Sequence, residues 1–521
     1  MKWSIRNTLT TITDATDAEG EWLRDYLSYE DRHYVPRTGR FTSERVSLVH
    51  PVRRTFPTGF ARMAFIEART KGITIEFVDE RVCPCAPDLS ADLEWLQHHP
   101  AVDGEITHQI EAVQAVVKNK RGIIWSPTGS GKGSIAVGIA VALPCRWLFL
   151  VHRADLVGQQ AARYLKHTGL EAGTLVDGAA AVPKDCRFIV ATFQSVYSGI
   201  KRNDANILAM LGGAEGIILD ECHAVAATTY LAVTMSATGA YYRVGMSGTP
   251  LARSDGRNLM VIGGLGPVIY RVLPEELIRV GLLARPTIRM VEVRQECARA
   301  TWRGVYSEAV VRSTTRNRAI VAAVQRATKP CLVFVQHIRH GKMLKGLLEC
   351  EGLRVEFVYG KEPLPIRRAA IKRLERGEIE VLVCNVIFQE GVDIPTLSSV
   401  VIAAAGASTI AALQRIGRGM RADRGTGKTM FEVWDFYDRD CGCGDGPPNE
   451  MHTGCKWLRR HSNERRKAYE SEGYEVAIIT QDGGCHGQEG ENSTATRRGS
   501  HRVPRRAYRS LELCGDASSE K

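Results

Sequence analysis

The most chemically pointed stretch of the chain is Ile123-Ile124-Trp125-Ser126-Pro127-Thr128-Gly129-Ser130-Gly131-Lys132-Gly133. It reads as a buried strand, a glycine-rich turn and a helix beginning near Lys132. Glycines at 129 and 131 let backbone N–H groups close on a polyanion, and Lys132 adds an ammonium, so Thr128 to Ser134 form a predicted cradle for nucleotide phosphates. The residue after such a lysine is usually Ser or Thr, whose hydroxyl holds Mg²⁺. Here it is Gly133, and Ser134 is the nearest hydroxyl.

Downstream, Ile217-Ile218-Leu219-Asp220-Glu221-Cys222-His223 is an apolar run ending in two carboxylates. An aspartate at such a strand end can hold Mg²⁺ through water, and a neighbouring glutamate can activate an attacking water. Met246-Ser247-Gly248-Thr249-Pro250 places two hydroxyls at another strand end. Gln414-Arg415-Ile416-Gly417-Arg418-Gly419-Met420-Arg421 spaces three arginines by three, on one helical side. Positive charge from such a segment can face a transferring phosphoryl group across a cleft.

These residues need strands and helices to carry them. From about 104 to 273, apolar strand-like runs at 147–151, 188–191 and 217–219 alternate with helical stretches such as 154–167, which predicts a parallel α/β sheet with helices on both faces. From 274 to 437 the pattern repeats, with strands expected at 331–335, 355–358, 381–384, 400–403 and 429–434. Residues 1–85 read as a small separate mixed α/β module, with no helix expected before about residue 58, a helix at 60–70 and a strand at 73–77. In it, Phe56 beside Arg53 and Arg54 reads as core or as a stacking wedge on nucleic acid. Residues 438–480 read as an extension with a charged helix at 456–472, and 481–521 as a basic, disordered tail.

The 521 residues suffice for several domains, and 44% apolar with 24% charged residues is a soluble balance. No apolar run approaches a membrane span, and the N-terminus lacks a signal peptide's pattern. A net charge of +11 favours a polyanionic partner. Fourteen cysteines spread along the chain suit reduced thiols in a cytoplasm. Cys441, Cys443, His452 and Cys455 offer four soft ligands, but Cys-x-Cys is tight for zinc, and free thiols are the favoured reading over a zinc site.

In this order the motifs resemble those of the superfamily 2 helicases of the DExH type, within them the excision-repair helicases of archaea and eukaryotes and the branch-migrating helicases of large bacteriophages. The resemblance implies two tandem RecA-like domains, at 86–273 and 274–437, closing on ATP and Mg²⁺. It implies that Gln109 reads the adenine edge. Lys132, Asp220, Glu221 and His223 would be catalytic, with Arg418 and Arg421 reaching the γ-phosphate and Asp393 of Glu390-Gly391-Val392-Asp393 joining the nucleotide site. Ser247, Thr249 and Gln414 would couple hydrolysis to movement. Arg153, Thr192, Gln336 and Asn385 match backbone contacts to nucleic acid; Asn385 stands where the family usually has Thr. The implied activity is 3′ to 5′ unwinding or remodelling of duplex or branched DNA by a monomer in the cytoplasm, the host's if the chain is phage-encoded. A duplex translocase, a nucleotide-gated binding protein and an RNA helicase are the alternatives. For Gly133, Ser134 could shift into the Mg²⁺ shell, water could replace the hydroxyl, or hydrolysis could be lost; water is the favoured outcome.

Overall fold

The computed structural model describes residues 1–480 except 36–39, 98–106, 184, 226–227, 252–257, 296, 298, 300, 386–393, 395, 407–415, 418, 421, 423–426 and 440–452. It is an α/β protein built on two large, mainly parallel sheets. The first runs in the order Ala179–Ala181, Gly173–Val176, Phe188–Thr192, Trp147–Val151, Gly216–Asp220, Tyr242–Ser247, Arg121–Trp125, Val268–Arg271. Only the pairing of its first two strands is antiparallel. Strands such as Trp147–Val151 are buried along their whole length, as expected where helices cover both faces.

The second sheet is parallel throughout: Val355–Val358, Val381–Asn385, Cys331–Val335, Ser399–Ile402, Met430–Arg439, Arg285–Arg294, Val476–Ile479. Its last strand corrects the expectation of an extension separate from this unit. Val476–Ile479 closes the sheet edge against Arg285–Arg294. The helix Thr453–Ser471 before it is pinned from inside: Arg465 donates to both oxygens of Asp435 at 2.8 and 3.0 Å, and the Tyr469 hydroxyl donates to Asp435 at 2.7 Å. Its charged composition therefore conceals a buried ion pair.

The N-terminal residues also differ from expectation. A helix, Asp17–Tyr26, precedes residue 58 and opens on a capping box. The Glu19 N–H donates to Thr16 Oγ1 at 3.3 Å, and the Thr16 N–H donates to Glu19 Oε2 at 2.8 Å. A small sheet (Thr55–Pro57, Leu9–Thr13, Lys2–Ile5, Glu76–Asp79) stands beside a two-stranded hairpin, Ser28–Val35 with Arg40–Ser47. The module is not separate from the first large sheet. Trp3, Phe56 and Phe60 share one apolar core with Ile123, Leu219 and Val261. Phe56 is 0% exposed and packs edge-on to Trp3 at 5.2 Å, so it is core and not a wedge. Among the described residues no helix is long and apolar enough to cross a membrane.

Candidate nucleotide site and nucleic-acid face

Strand order assembles the site. Gly216–Asp220, Tyr242–Ser247 and Arg121–Trp125 are neighbours, in a register that pairs Asp220 with Met246 and Ser247 with Trp125. Their carboxyl ends bring the acidic pair, the hydroxyl strand end and the glycine-rich loop side by side, which is where open parallel sheets bind ligands. The loop is fastened to its neighbour. The Ser126 N–H donates to the Ser247 carbonyl at 3.0 Å, and Trp125 Nε1 donates to the Gly248 carbonyl at 2.9 Å.

Gly129 and Gly131 hold φ of 90° and 88°, a left-handed turn that leads into the helix Lys132–Ala142. Lys132 is buried, and its Nζ donates to the carbonyls of Ser126 and Pro127, both at 3.3 Å, with Glu221 Oε1 3.6 Å away. The Gln109 amide donates to the Ser130 carbonyl at 3.0 Å, and His108 Nε2 lies 2.9 Å from the same oxygen. Gln109 therefore braces the loop from behind. His108 does so too, a role its position in Thr107-His108-Gln109 did not announce.

Asp220 and Glu221 leave the strand together. Burial, and next the Glu221 carboxylate, push Asp220 up to about 6, while Lys132 and His152 pull it down. Glu221 has φ of 47°, a strained conformation for a residue with a Cβ. Its carboxylate meets His223 Nδ1 at 3.3 Å and Ser247 Oγ at 3.4 Å, and His223 Nδ1 is 2.6 Å from Ser247 Oγ. The Thr249 N–H donates to Ser247 Oγ at 3.0 Å. Glu221, half-buried, thus joins the buried His223, Ser247 and Thr249 in one polar network.

The second unit closes over this surface. Pro127, Thr128, Glu221, Thr249, Gly417 and Met420 line a cavity of about 30 Å³. A Cβ at Gly417 would lie 2.7 Å from Thr128 Cβ, so the two units touch at the phosphate loop. Arg418, Arg421, Gln414 and Asp393 lie outside the described residues, as do Cys441, Cys443 and His452 and the side chain of Cys455. A larger cavity of about 710 Å³, lined by Lys329, Arg354, Glu380 and Glu432, lies at the amino ends of the second sheet's strands. That is the wrong end of a parallel sheet for this chemistry.

Of the expected nucleic-acid contacts, Gln336 is exposed at the end of Cys331–Val335. Arg153 is half-buried and pairs with both oxygens of Asp155 at 2.9 and 3.1 Å. Thr192 is buried and caps the helix Phe193–Lys201 through the Ser195 N–H at 3.2 Å. Asn385 is buried, and its Oδ1 accepts from the Gly360 N–H at 3.2 Å.

The donor set fits a triphosphate with its metal. Mg²⁺ keeps several waters and needs one or two carboxylates plus substrate phosphates, which Asp220 and Glu221 can supply. Among the described residues no group of three or more His, Cys, Asp or Glu side chains is placed to hold a metal alone.

Comparison with known proteins agrees with this geometry. The family profile described as "Type III restriction enzyme, res subunit" matches residues 105–252, and "Helicase conserved C-terminal domain" matches 315–423. The chain is 27% identical over 346 residues to the provisionally named helicase 22 of Sulfolobus islandicus filamentous virus (isolate Iceland/Hveragerdi), covering 61% of each chain. It is 31% identical over 170 residues to "DNA 3'-5' translocase XPB2" of Sulfurisphaera tokodaii, covering 33% of this chain and 36% of that one. It thus spans less than two thirds of either relative. The fold is shared with a fragment of a provisionally assigned HsdR subunit of a type I restriction enzyme from Vibrio vulnificus YJ016 (TM-score 0.51, 19% identity, 92% of this chain and 88% of that one). With two helicase-core profiles in tandem, a pair of parallel sheets meeting at a phosphate loop, and Asp220-Glu221-Cys222-His223 at the strand end between them, the chain belongs to the superfamily 2 helicases.

Proposed function

We propose that the chain is an ATP-driven DNA motor that separates or remodels duplex or branched DNA, moving 3′ to 5′. The observation that carries this reading is the meeting of Lys132, Asp220 and Glu221 at one strand-end surface that Gly417 of the second unit covers. ATP enters when the units part, since about 30 Å³ is far below a ligand pocket's usual ~300 Å³ or more. Lys132 then exchanges the Ser126 and Pro127 carbonyls for phosphate oxygens. Glu221 accepts a proton from water as that oxygen bonds to the γ-phosphorus and the bond to the bridging oxygen breaks, releasing ADP. Asp220 would hold Mg²⁺ through water, and the ion when bound would supply neutralisation of charge on the phosphates. Arg418 and Arg421 are assigned the same task from the second unit. Loss of the γ-phosphate reaches the second unit through Ser247, whose hydroxyl meets Glu221 and His223, and through Thr249, whose N–H donates to that hydroxyl.

DNA as the track and the polarity are supported by the names of relatives, among them the Sulfurisphaera translocase and the Haloarcula marismortui protein provisionally named as a DNA 3'-5' helicase, Rad25. Travel along duplex DNA without strand separation is the second reading, favoured by the word translocase in the former name. The test compares ATP hydrolysis with no nucleic acid, single-stranded DNA, forked DNA and RNA, alongside strand displacement on the fork. Forked DNA is expected to stimulate most. Stimulation by RNA equal to that by the fork would overturn the DNA assignment, and fork-stimulated hydrolysis without displacement would favour the second reading.

A further inference from the structure

Gly133 is not an empty position. A Cβ built there would lie 2.0 Å from Arg163 Nη1 and 2.7 Å from Gln160 Oε1. Neither distance is compatible with a side chain at 133 unless the guanidinium and the Gln160 amide both shift. Gln160 fixes the arrangement: its Nε2 donates to the Gly133 carbonyl at 2.9 Å, and its Oε1 accepts from Arg163 Nη1 at 2.7 Å. Gln160 is 3% exposed, and both side chains rise from one face of Ala154–Thr168, the helix packed on Lys132–Ala142. Burial pulls the Arg163 guanidinium down from its ordinary value, and the charge of Asp220 offsets part of that pull. A cation therefore stands beside the phosphate loop, where the usual glycine-rich loop pattern has a neutral hydroxyl.

We propose that Arg163 is a nucleotide-binding residue of this chain, which Gly133 exists to admit, and that its guanidinium takes over part of the charge neutralisation that the missing hydroxyl would leave to the metal. A guanidinium is always charged and offers a planar fork of donors to phosphate. Its charge also opposes a second cation nearby, so the site gives up some metal affinity and gains nucleotide affinity without metal. This rests on the reading that the site takes ATP.

The test measures the dissociation constant of a fluorescent ATP analogue on the full chain, in Mg²⁺ and in a chelator. Wild type is expected to lose little on chelation. Arg163→Ala is expected to lose about tenfold in chelator, the worth of one charged hydrogen bond, and clearly less in Mg²⁺. Arg163→Gln, similar in size and neutral, should behave likewise and stands in should the alanine variant not fold. Gly133→Ser should lower the melting temperature, and Gly133→Ser with Arg163→Ala should recover it and bind nucleotide only with Mg²⁺. Equal change in both conditions for the Arg163 variants, or no change in either, would overturn the proposal and leave the ATP reading intact. Absence of Lys132-dependent nucleotide binding by wild type would overturn both.

Discussion

Ser247 Oγ lies 2.6 Å from His223 Nδ1, and both atoms lie within 3.4 Å of the Glu221 carboxylate. The end of strand Tyr242–Ser247 is thereby tied to the residue that would activate water. Ser247→Ala should cut ATP hydrolysis by about tenfold or more, as expected for one hydrogen bond to a charged group, and should cut strand displacement more. The measurement is base pairs opened per ATP consumed. A parallel fall in both, leaving that ratio unchanged, would contradict a coupling role.

The backbone of Glu221, at φ of 47°, stores strain in the segment assigned to catalysis. Glu221→Gly and Glu221→Ala both remove the carboxylate, so their difference isolates the backbone. The glycine variant should be the more stable by about 1 kcal/mol in denaturant unfolding. An alanine variant as stable as the glycine variant would mean that the segment relaxes.

Asp220 gives a pH-dependent signature. Its folded value of about 6 exceeds the ordinary 3.8, so between these pH values the folded state binds more protons than the unfolded state. Stability from this group is present at low pH and is lost as pH rises through about 6. Asp220→Asn removes the penalty. Without metal or nucleotide, its melting temperature should exceed that of wild type at about pH 7.5, with the gap narrowing towards about pH 4.5. The variant should also lose ATP hydrolysis, since it gives up the carboxylate assigned to Mg²⁺. A gap that widens on acidification would contradict the assignment.

The N-terminal residues should behave as part of the first unit. A Cβ at Gly59 would lie 2.0 Å from the Ile262 carbonyl oxygen and 2.5 Å from that of Gly263. Gly59→Ala should cost about 1–3 kcal/mol, the usual range for overpacking, by denaturant melt. A neutral effect would show that the module docks loosely.

Motifs at strand ends were legible because they are local. Lys132, Asp220 and Ser247 could each be placed from an apolar run and the polar residues that end it, and parallel topology then made them neighbours. What escaped was tertiary. Arg163 reaches Gly133 only because two helices pack side by side, and no local pattern joins them. Thr192 and Asn385 look like available polar groups in the sequence, yet one caps a helix and the other braces the Gly360 amide. Val476–Ile479 pairs with Arg285–Arg294, nearly two hundred residues earlier, so its short apolar run did not read as a sheet edge. The helix Asp17–Tyr26 did carry a signal, Thr16 and Glu19 as a capping box, but its polar composition hid it.

The central claim is that Glu221 serves ATP hydrolysis driven by DNA. Steady-state phosphate release with saturating forked DNA, for wild type and Glu221→Gln, tests it most directly. The account predicts DNA-stimulated release by wild type and a loss of about a hundredfold or more in the variant, the scale of general-base catalysis, with nucleotide binding retained. Hydrolysis of equal rate in the two proteins, or none in wild type on any DNA, would contradict it.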